Sequence, residues 1–237
     1  MTIRGVDFTG ATAVIFNTAG ADFTMTSDTA IQATVPAGAT SGPVSVTTGV
    51  GTGTSATSFT VMATLSAQKA GNGGGTITST SNPSNPTQIN CGNTCSSAYP
   101  LGTVVTLTAT PATGSNITNW VGCDSVSGAV CTATVSAAQS VTATFTLQRF
   151  LVTVTKSSPL GVGNGTVTST SSPASPTQIN CGPTCSVSFD FGTVVTLTAS
   201  PNLLAVFNGW DGCDSTSGTT CTVNVTSAKS VHANFLP

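Results

Sequence analysis

The chain has 237 residues, of which only 5% are charged, with a net charge of −2, seven Asp, no Glu and a single His. Five basic residues cannot neutralise the phosphates that nucleic-acid binding needs or build a polybasic patch for anionic lipid, and no run of about 18 apolar residues is present to insert into a membrane. Serine and threonine make up roughly a third of the chain, and with Val and Ile also abundant the composition predicts a folded all-β protein, not a disordered one.

The first predicted unit, residues 1–62, contains no cysteine. Short apolar runs at Thr2 to Phe8, Ala13 to Phe16, Ala21 to Met25, Ala30 to Val35, Val44 to Thr47 and Ser58 to Val61 are separated by Gly, Asn and Pro. Six such strands predict a small β-sandwich. Asp7-Phe8-Thr9-Gly10-Ala11, Ser27-Asp28-Thr29-Ala30-Ile31, the stretch from Val35 to Pro43 and the stretch from Ser55 to Val61 together resemble an IPT/TIG domain, which implies an immunoglobulin-like sandwich. That family's opening strand has no counterpart ahead of Thr2, so the sandwich is expected to lack its first strand and to expose an unpaired edge, an open template for a strand from another chain. The C-terminal stretch Ser230 to Pro237 and an unseen upstream segment are the candidate donors, and head-to-tail filaments are the expected consequence.

The second and third units, residues 63–147 and 148–237, are two copies of one repeat with a period of 90 residues. Cys91, Cys95, Cys123 and Cys131 recur as Cys181, Cys185, Cys213 and Cys221, and about 40 of the 71 positions from Thr76 to Thr146 are identical in the second copy. Only the opening differs in length, with Ser157-Ser158-Pro159-Leu160-Gly161 predicted to form a longer turn. Val105, Leu107 and Ala109 alternate with Thr106 and Thr108, Val141, Ala143 and Phe145 with Thr142 and Thr144, and Val231, Ala233 and Phe235 with His232 and Asn234, the period of a half-buried strand. Gly71 to Gly75, Ser81 to Pro86 and Ser125 to Gly128 read as turns. Short helical turns are expected at Ser136 to Gln139 and at Ser227 to Lys229.

Ile89-Asn90-Cys91-Gly92, Gly102 to Leu107, Trp120 to Cys123 and Ser140 to Phe145 make each copy similar to the divergent internalin-type B-repeat of bacterial surface and secreted proteins. The resemblance implies compact β modules of grasp-like character, a stalk or adhesive role and no catalytic residues.

Eight regularly spaced cysteines read as disulfides formed in an oxidising compartment. The chain is therefore expected to be exported to the extracellular space or cell surface, its leader not present in this chain. Four cysteines per repeat allow three connectivities. Pairing Cys91 with Cys95 and Cys123 with Cys131 is the local choice, and cross-pairing of Cys91 with Cys123 or Cys131 stays open. A four-thiolate zinc site is the alternative, but C-x3-C with C-x7-C departs from the usual C-x2-C knuckle.

Trp120 and Trp210 read as core residues or as platforms for sugar stacking. Asp211 and Asp214 would attract a glycosidase or calcium reading, but seven scattered Asp provide neither a paired cleft nor six oxygen ligands. His232 reads as a surface residue with no Ser-His-Asp set around it. Asn116-Ile117-Thr118, Asn164-Gly165-Thr166 and Asn224-Val225-Thr226 fit the N-glycosylation pattern.

The resulting expectation is a non-catalytic structural or adhesive protein with no cofactor or metal. Its partners would be other copies of itself, a larger surface protein or glycans. The alternatives are a carbohydrate-binding accessory module of a secreted polysaccharide-degrading enzyme or, less in keeping with the residues, an enzyme relying on Asp214.

Overall fold

A computed structural model describes residues 1–157, 164–182 and 184–237. The expected long turn from Ser157 to Gly161 lies almost wholly outside the described residues. Those described contain strands and turns but no helix, and so none long and apolar enough to cross a membrane. Ser136–Ala138 and Thr226–Ser227 form bends instead of the expected helical turns. Each connects two strands over too few residues to close successive helical hydrogen bonds.

The N-terminal sandwich comprises β1 (Thr2–Arg4), β2 (Ala13–Phe16), β3 (Ala19–Gly20), β4 (Phe23–Ser27), β5 (Ala30–Ala33), β6 (Val44–Thr48) and β7 (Gly51–Thr54). Its sheets run β1-β5-β4 and β3-β2-β6-β7. The inward residues Val14, Phe16, Ile31, Ala33, Val44 and Val46 form the core between them, as alternation along each strand requires. Two expectations fail here. Ser58 to Val61 forms no strand, only a single bridge of Phe59 to Gly42, although the Phe59 ring packs edge-on to Phe16 at 5.1 Å. Gly51–Thr54 does form one, with all four residues exposed. An edge strand with no buried face leaves no apolar period to read in the sequence.

The first repeat comprises β8 (Met62–Ala70), β9 (Gly75–Asn82), β10 (Ser96–Pro100), β11 (Val104–Pro111), β12 (Ser115–Val121), β13 (Ser125–Ser127), β14 (Val130–Thr134) and β15 (Gln139–Leu147). The second comprises β16 (Arg149–Ser157), β17 (Gly165–Ser172), β18 (Ser186–Asp190), β19 (Val194–Pro201), β20 (Val206–Asp211), β21 (Ser215–Ser217), β22 (Thr220–Asn224) and β23 (Lys229–Leu236). Both have the same two four-stranded sheets, β10-β8-β15-β12 with β13-β14-β11-β9, and β18-β16-β23-β20 with β17-β19-β22-β21. Ser125–Ser127, read as part of a turn, is a short exposed strand, again without an apolar face.

In the second repeat β16 and β23 pair in parallel, Val154 opposite Val231, while all other pairings in its sheets are antiparallel. Val152, Val154, Val167, Phe189, Leu197, Val223, Val231 and Phe235 close the core. The alternation read at Val105 to Ala109, Val141 to Phe145 and Val231 to Phe235 is the observed burial pattern.

Contacts group the chain into two compact units. One comprises Met1–Gln68, Thr76–Ala109 and Trp120–Ala143; the other comprises Lys69–Gly75, Thr110–Asn119 and Thr144–Pro237.

Candidate functional site

In the sandwich, β1 and β7 are edge strands of opposite sheets, and a groove of about 420 Å³ is lined by residues of both. Ile3, Val6, Phe8, Val44, Val46 and Val50 contribute its apolar wall, with Val50 fully open to solvent at 95% exposure. Its rims are edge strands, each paired on one side only, and the buried Val44 and Val46 lie in its lining. The donor expected at Ser230 to Pro237 is engaged elsewhere: Ser230–Leu236 lies in β23, bonded to β16 on one side and β20 on the other. Releasing it would expose Val231, Ala233 and Phe235 of the second repeat's core.

All eight cysteines form disulfides within their own repeats: Cys91–Cys95, Cys123–Cys131, Cys181–Cys185 and Cys213–Cys221. Cα separations are 4.2 Å for the short loops and 5.7 Å for the longer ones, the same in each copy. In the second bridge of each repeat one partner, Cys131 or Cys221, sits on the central strand β14 or β22 and is fully buried.

The shared run Pro86 to Gly92 has a structural basis. Gln88 donates from Nε2 to Ser81 Oγ (2.9 Å) and to the Asn85 carbonyl (2.7 Å), and its Oε1 accepts from Ser79 Oγ (2.9 Å). Gln178 makes the same three bonds with Ser171, Ser175 and Ser169. One amide thus ties together the polar groups of the loop that leads into the buried Ile89 and Cys91.

Trp120 is buried, 6% exposed, and Trp210 packs partly buried against the second core with Phe207 at 5.3 Å. Neither indole N–H has a hydrogen-bond partner. The sugar-platform reading of Trp120 is corrected by its burial, because stacking requires an open ring face.

Asp214 accepts from the backbone N–H of Asn224 (2.6 Å) and pairs with Lys229 at 2.9 Å. The Lys229 hydrogen bond, with that N–H, holds its carboxyl below the usual range. Asp124 accepts from Thr134 N–H (2.6 Å) in the same way. Asp211 instead accepts from Asn234 Nδ2 (2.8 Å). Each of these carboxylates is committed to fastening a strand end.

His232 lies between two hydroxyls, Nδ1 at 2.7 Å from Thr155 Oγ1 and Nε2 at 2.9 Å from Ser157 Oγ. Ser157 donates onward to Asn234 Oδ1. Folding brings a serine to this histidine, which sequence reasoning missed, since the parallel pairing of β16 with β23 spans 75 residues. The ring faces no carboxylate through either nitrogen, so the group lacks the third member of a triad. Among the described residues no three of His, Cys, Asp and Glu come together to hold a metal ion.

Residues 88–149 and 153–237 match the Divergent InlB B-repeat domain. The chain belongs to the divergent InlB B-repeat family. Ahead of the two B-repeats, residues 1–61 match the IPT/TIG domain. A comparison with curated proteins found no match. Among solved structures the chain is similar to the Bacillus anthracis TIE protein at 9% identity and a TM-score of 0.47, covering 100% of this chain and 49% of that one. It is also similar to a C-terminal fragment of the pilus adhesin SpaC from Lactobacillus rhamnosus GG at 13% identity and a TM-score of 0.33, covering 75% of this chain and 98% of that one. The shaft pilin SpaA of the same organism aligns at 10% identity and a TM-score of 0.28, with 75% and 98% covered. This B-repeat chain spans about half the length of the Bacillus anthracis protein.

Proposed function

We propose that this chain is a non-catalytic structural and adhesive segment of an extracellular or cell-surface protein, built from three rigid β modules at residues 1–62, 63–147 and 148–237. The observation that carries the reading is the closure of all eight cysteines into four disulfides inside the two B-repeats. Such bridges persist outside the reducing cytosol, and they stabilise modules whose own cores are small. The titratable side chains support it as well: Asp124, Asp211 and Asp214 fasten strand ends. Mass spectrometry of protein taken from its native setting, alkylated without reduction, tests the reading. It is expected to show eight cysteines protected as four bridges, and free thiols or bound zinc would overturn it.

In its finer form the proposal gives the groove between β1 and β7 the role of accepting an extended strand from a partner chain with alternating apolar residues, which would lie against Val44 and Val46. Amide exchange tests this. In the purified chain the β7 amides should exchange fast, and an octapeptide of alternating valine and threonine should slow them. Amides of Gly51–Thr54 already as protected as those of central β6 would count against it.

A further inference from the structure

The two B-repeats agree at about 40 of 71 aligned positions, yet residues 112–119 share no residue with their counterparts 202–209. The divergence spans the turn between β11 and β12 with the first residues of β12, and the corresponding stretch from the turn after β19 into β20. The two turns nevertheless make corresponding backbone hydrogen bonds, although Gly114 has a φ of +74° and Leu204 is not in the left-handed region. Ala112 N–H donates to Gly74 O (2.9 Å) and Ser115 N–H to Ala112 O (3.0 Å); in the second copy Asn202 N–H donates to Asn164 O (2.7 Å) and Ala205 N–H to Asn202 O (2.9 Å).

What differs is what covers them. The first turn is covered by the second repeat: Gln148 donates from its backbone to Gly114 O (2.7 Å) and from its side chain to Asn116 Oδ1 (3.0 Å). The Phe191 ring lies so close over Gly114 that a Cβ there would overlap it. The equivalent turn of the second repeat carries Leu203, Leu204 and Val206 in place of Thr113, Gly114 and Asn116, and these are 104%, 80% and 62% exposed. Three apolar side chains clustered on one turn and open to water are the unusual observation, since single exposed ones are ordinary.

We propose that Leu203, Leu204 and Val206 form the seat of a further B-repeat-type module, contacted as Gln148 and Phe191 contact the Gly114 turn. The inference rests on continuity with the observed Gly114–Phe191 contact and goes beyond the scaffold role proposed above. Where a glycine meets a phenylalanine in the existing junction, a leucine occupies the glycine's place here. The incoming module therefore presents a side chain smaller than Phe at the position of Phe191, as Leu101 is in the first repeat, together with a backbone N–H for Leu204 O.

The test uses the full chain and a version extended after Pro237 by a second copy of residues 63–147. Hydrogen exchange at 203–206 should slow by tenfold or more in the extended chain, and Leu204→Asp should remove that protection while leaving the unfolding of the 237-residue chain unchanged. Unaltered exchange in the extended chain would overturn the proposal. So would protection of these amides in the unextended chain by self-association at high concentration, or by anionic lipid vesicles, each of which would assign the leucines another occupant. None of these results touches the disulfide count, so failure here is distinguishable from failure of the scaffold reading.

Discussion

The Tyr99 hydroxyl lies 3.0 Å from Ser79 Oγ, inside the first repeat, while Phe189 takes the same core position in the second, where Ser169 and Gln178 bond each other directly at 2.7 Å. The second repeat therefore shows that the Ser–Gln pair is complete without the phenol. Tyr99→Phe is expected to cost only about 1 kcal/mol, the net value of one hydrogen bond. Gln88→Leu leaves the Asn85 carbonyl without its donor and removes one of the two donors to Ser81 Oγ, and should cost more, about 1–3 kcal/mol. Urea denaturation of the two variants checks the order.

Removing the bridges should act through the unfolded chain. The chain-entropy model assigns about 2 kcal/mol to Cys91–Cys95 and about 2.6 kcal/mol to Cys123–Cys131, or about 4 to 5 kcal/mol per repeat. That equals the low end of a small domain's whole stability, about 5 kcal/mol. Reduction under native conditions should therefore lower the thermal midpoint steeply, and the Cys123→Ala/Cys131→Ala variant should lose more than the Cys91→Ala/Cys95→Ala one.

Trp120→Ala removes a buried indole and should cost about 3–5 kcal/mol, whereas Trp210→Ala, partly exposed at the start, should cost less. Calorimetry of the two variants decides whether these rings hold the repeats together. Equal and negligible losses would return them to the surface.

Gly114 has a φ of +74° and the Phe191 ring against it. Gly114→Leu places the second repeat's residue in the first repeat's turn, where both the backbone and the ring oppose it. A loss of about 1–3 kcal/mol is expected, and Phe191→Ala in the same chain should recover part of it in a double-mutant cycle.

Asp214 has a folded-state pKa lowered by its Lys229 hydrogen bond and the Asn224 N–H. A depressed carboxyl contributes stability that is present above its unfolded value, about 3.9, and is lost as pH falls through the folded value. Stability of the second repeat should therefore decline below about pH 4, and Asp214→Asn should flatten that decline while slightly lowering stability at neutral pH. With the Asp214 side chain 34% exposed, solvent screening keeps the effect small, so a denaturant midpoint against pH is the suitable measurement.

The order of modules, the all-β class and the buried faces of β11, β15 and β23 were legible in the amino-acid sequence, because alternation and a 90-residue period are local properties that burial imposes on residue choice. Edge strands such as Gly51–Thr54 and Ser125–Ser127 bury nothing and left no trace to read. The tertiary structure chose among three cysteine connectivities in each repeat, since spacing restricts but does not select which Cβ atoms meet. It also enclosed Trp120, locked Ser230–Leu236 between two strands, set Ser157 beside His232 and left Leu203 and Leu204 uncovered. Each of these depends on pairing between segments far apart in the chain, whose partners no local pattern names.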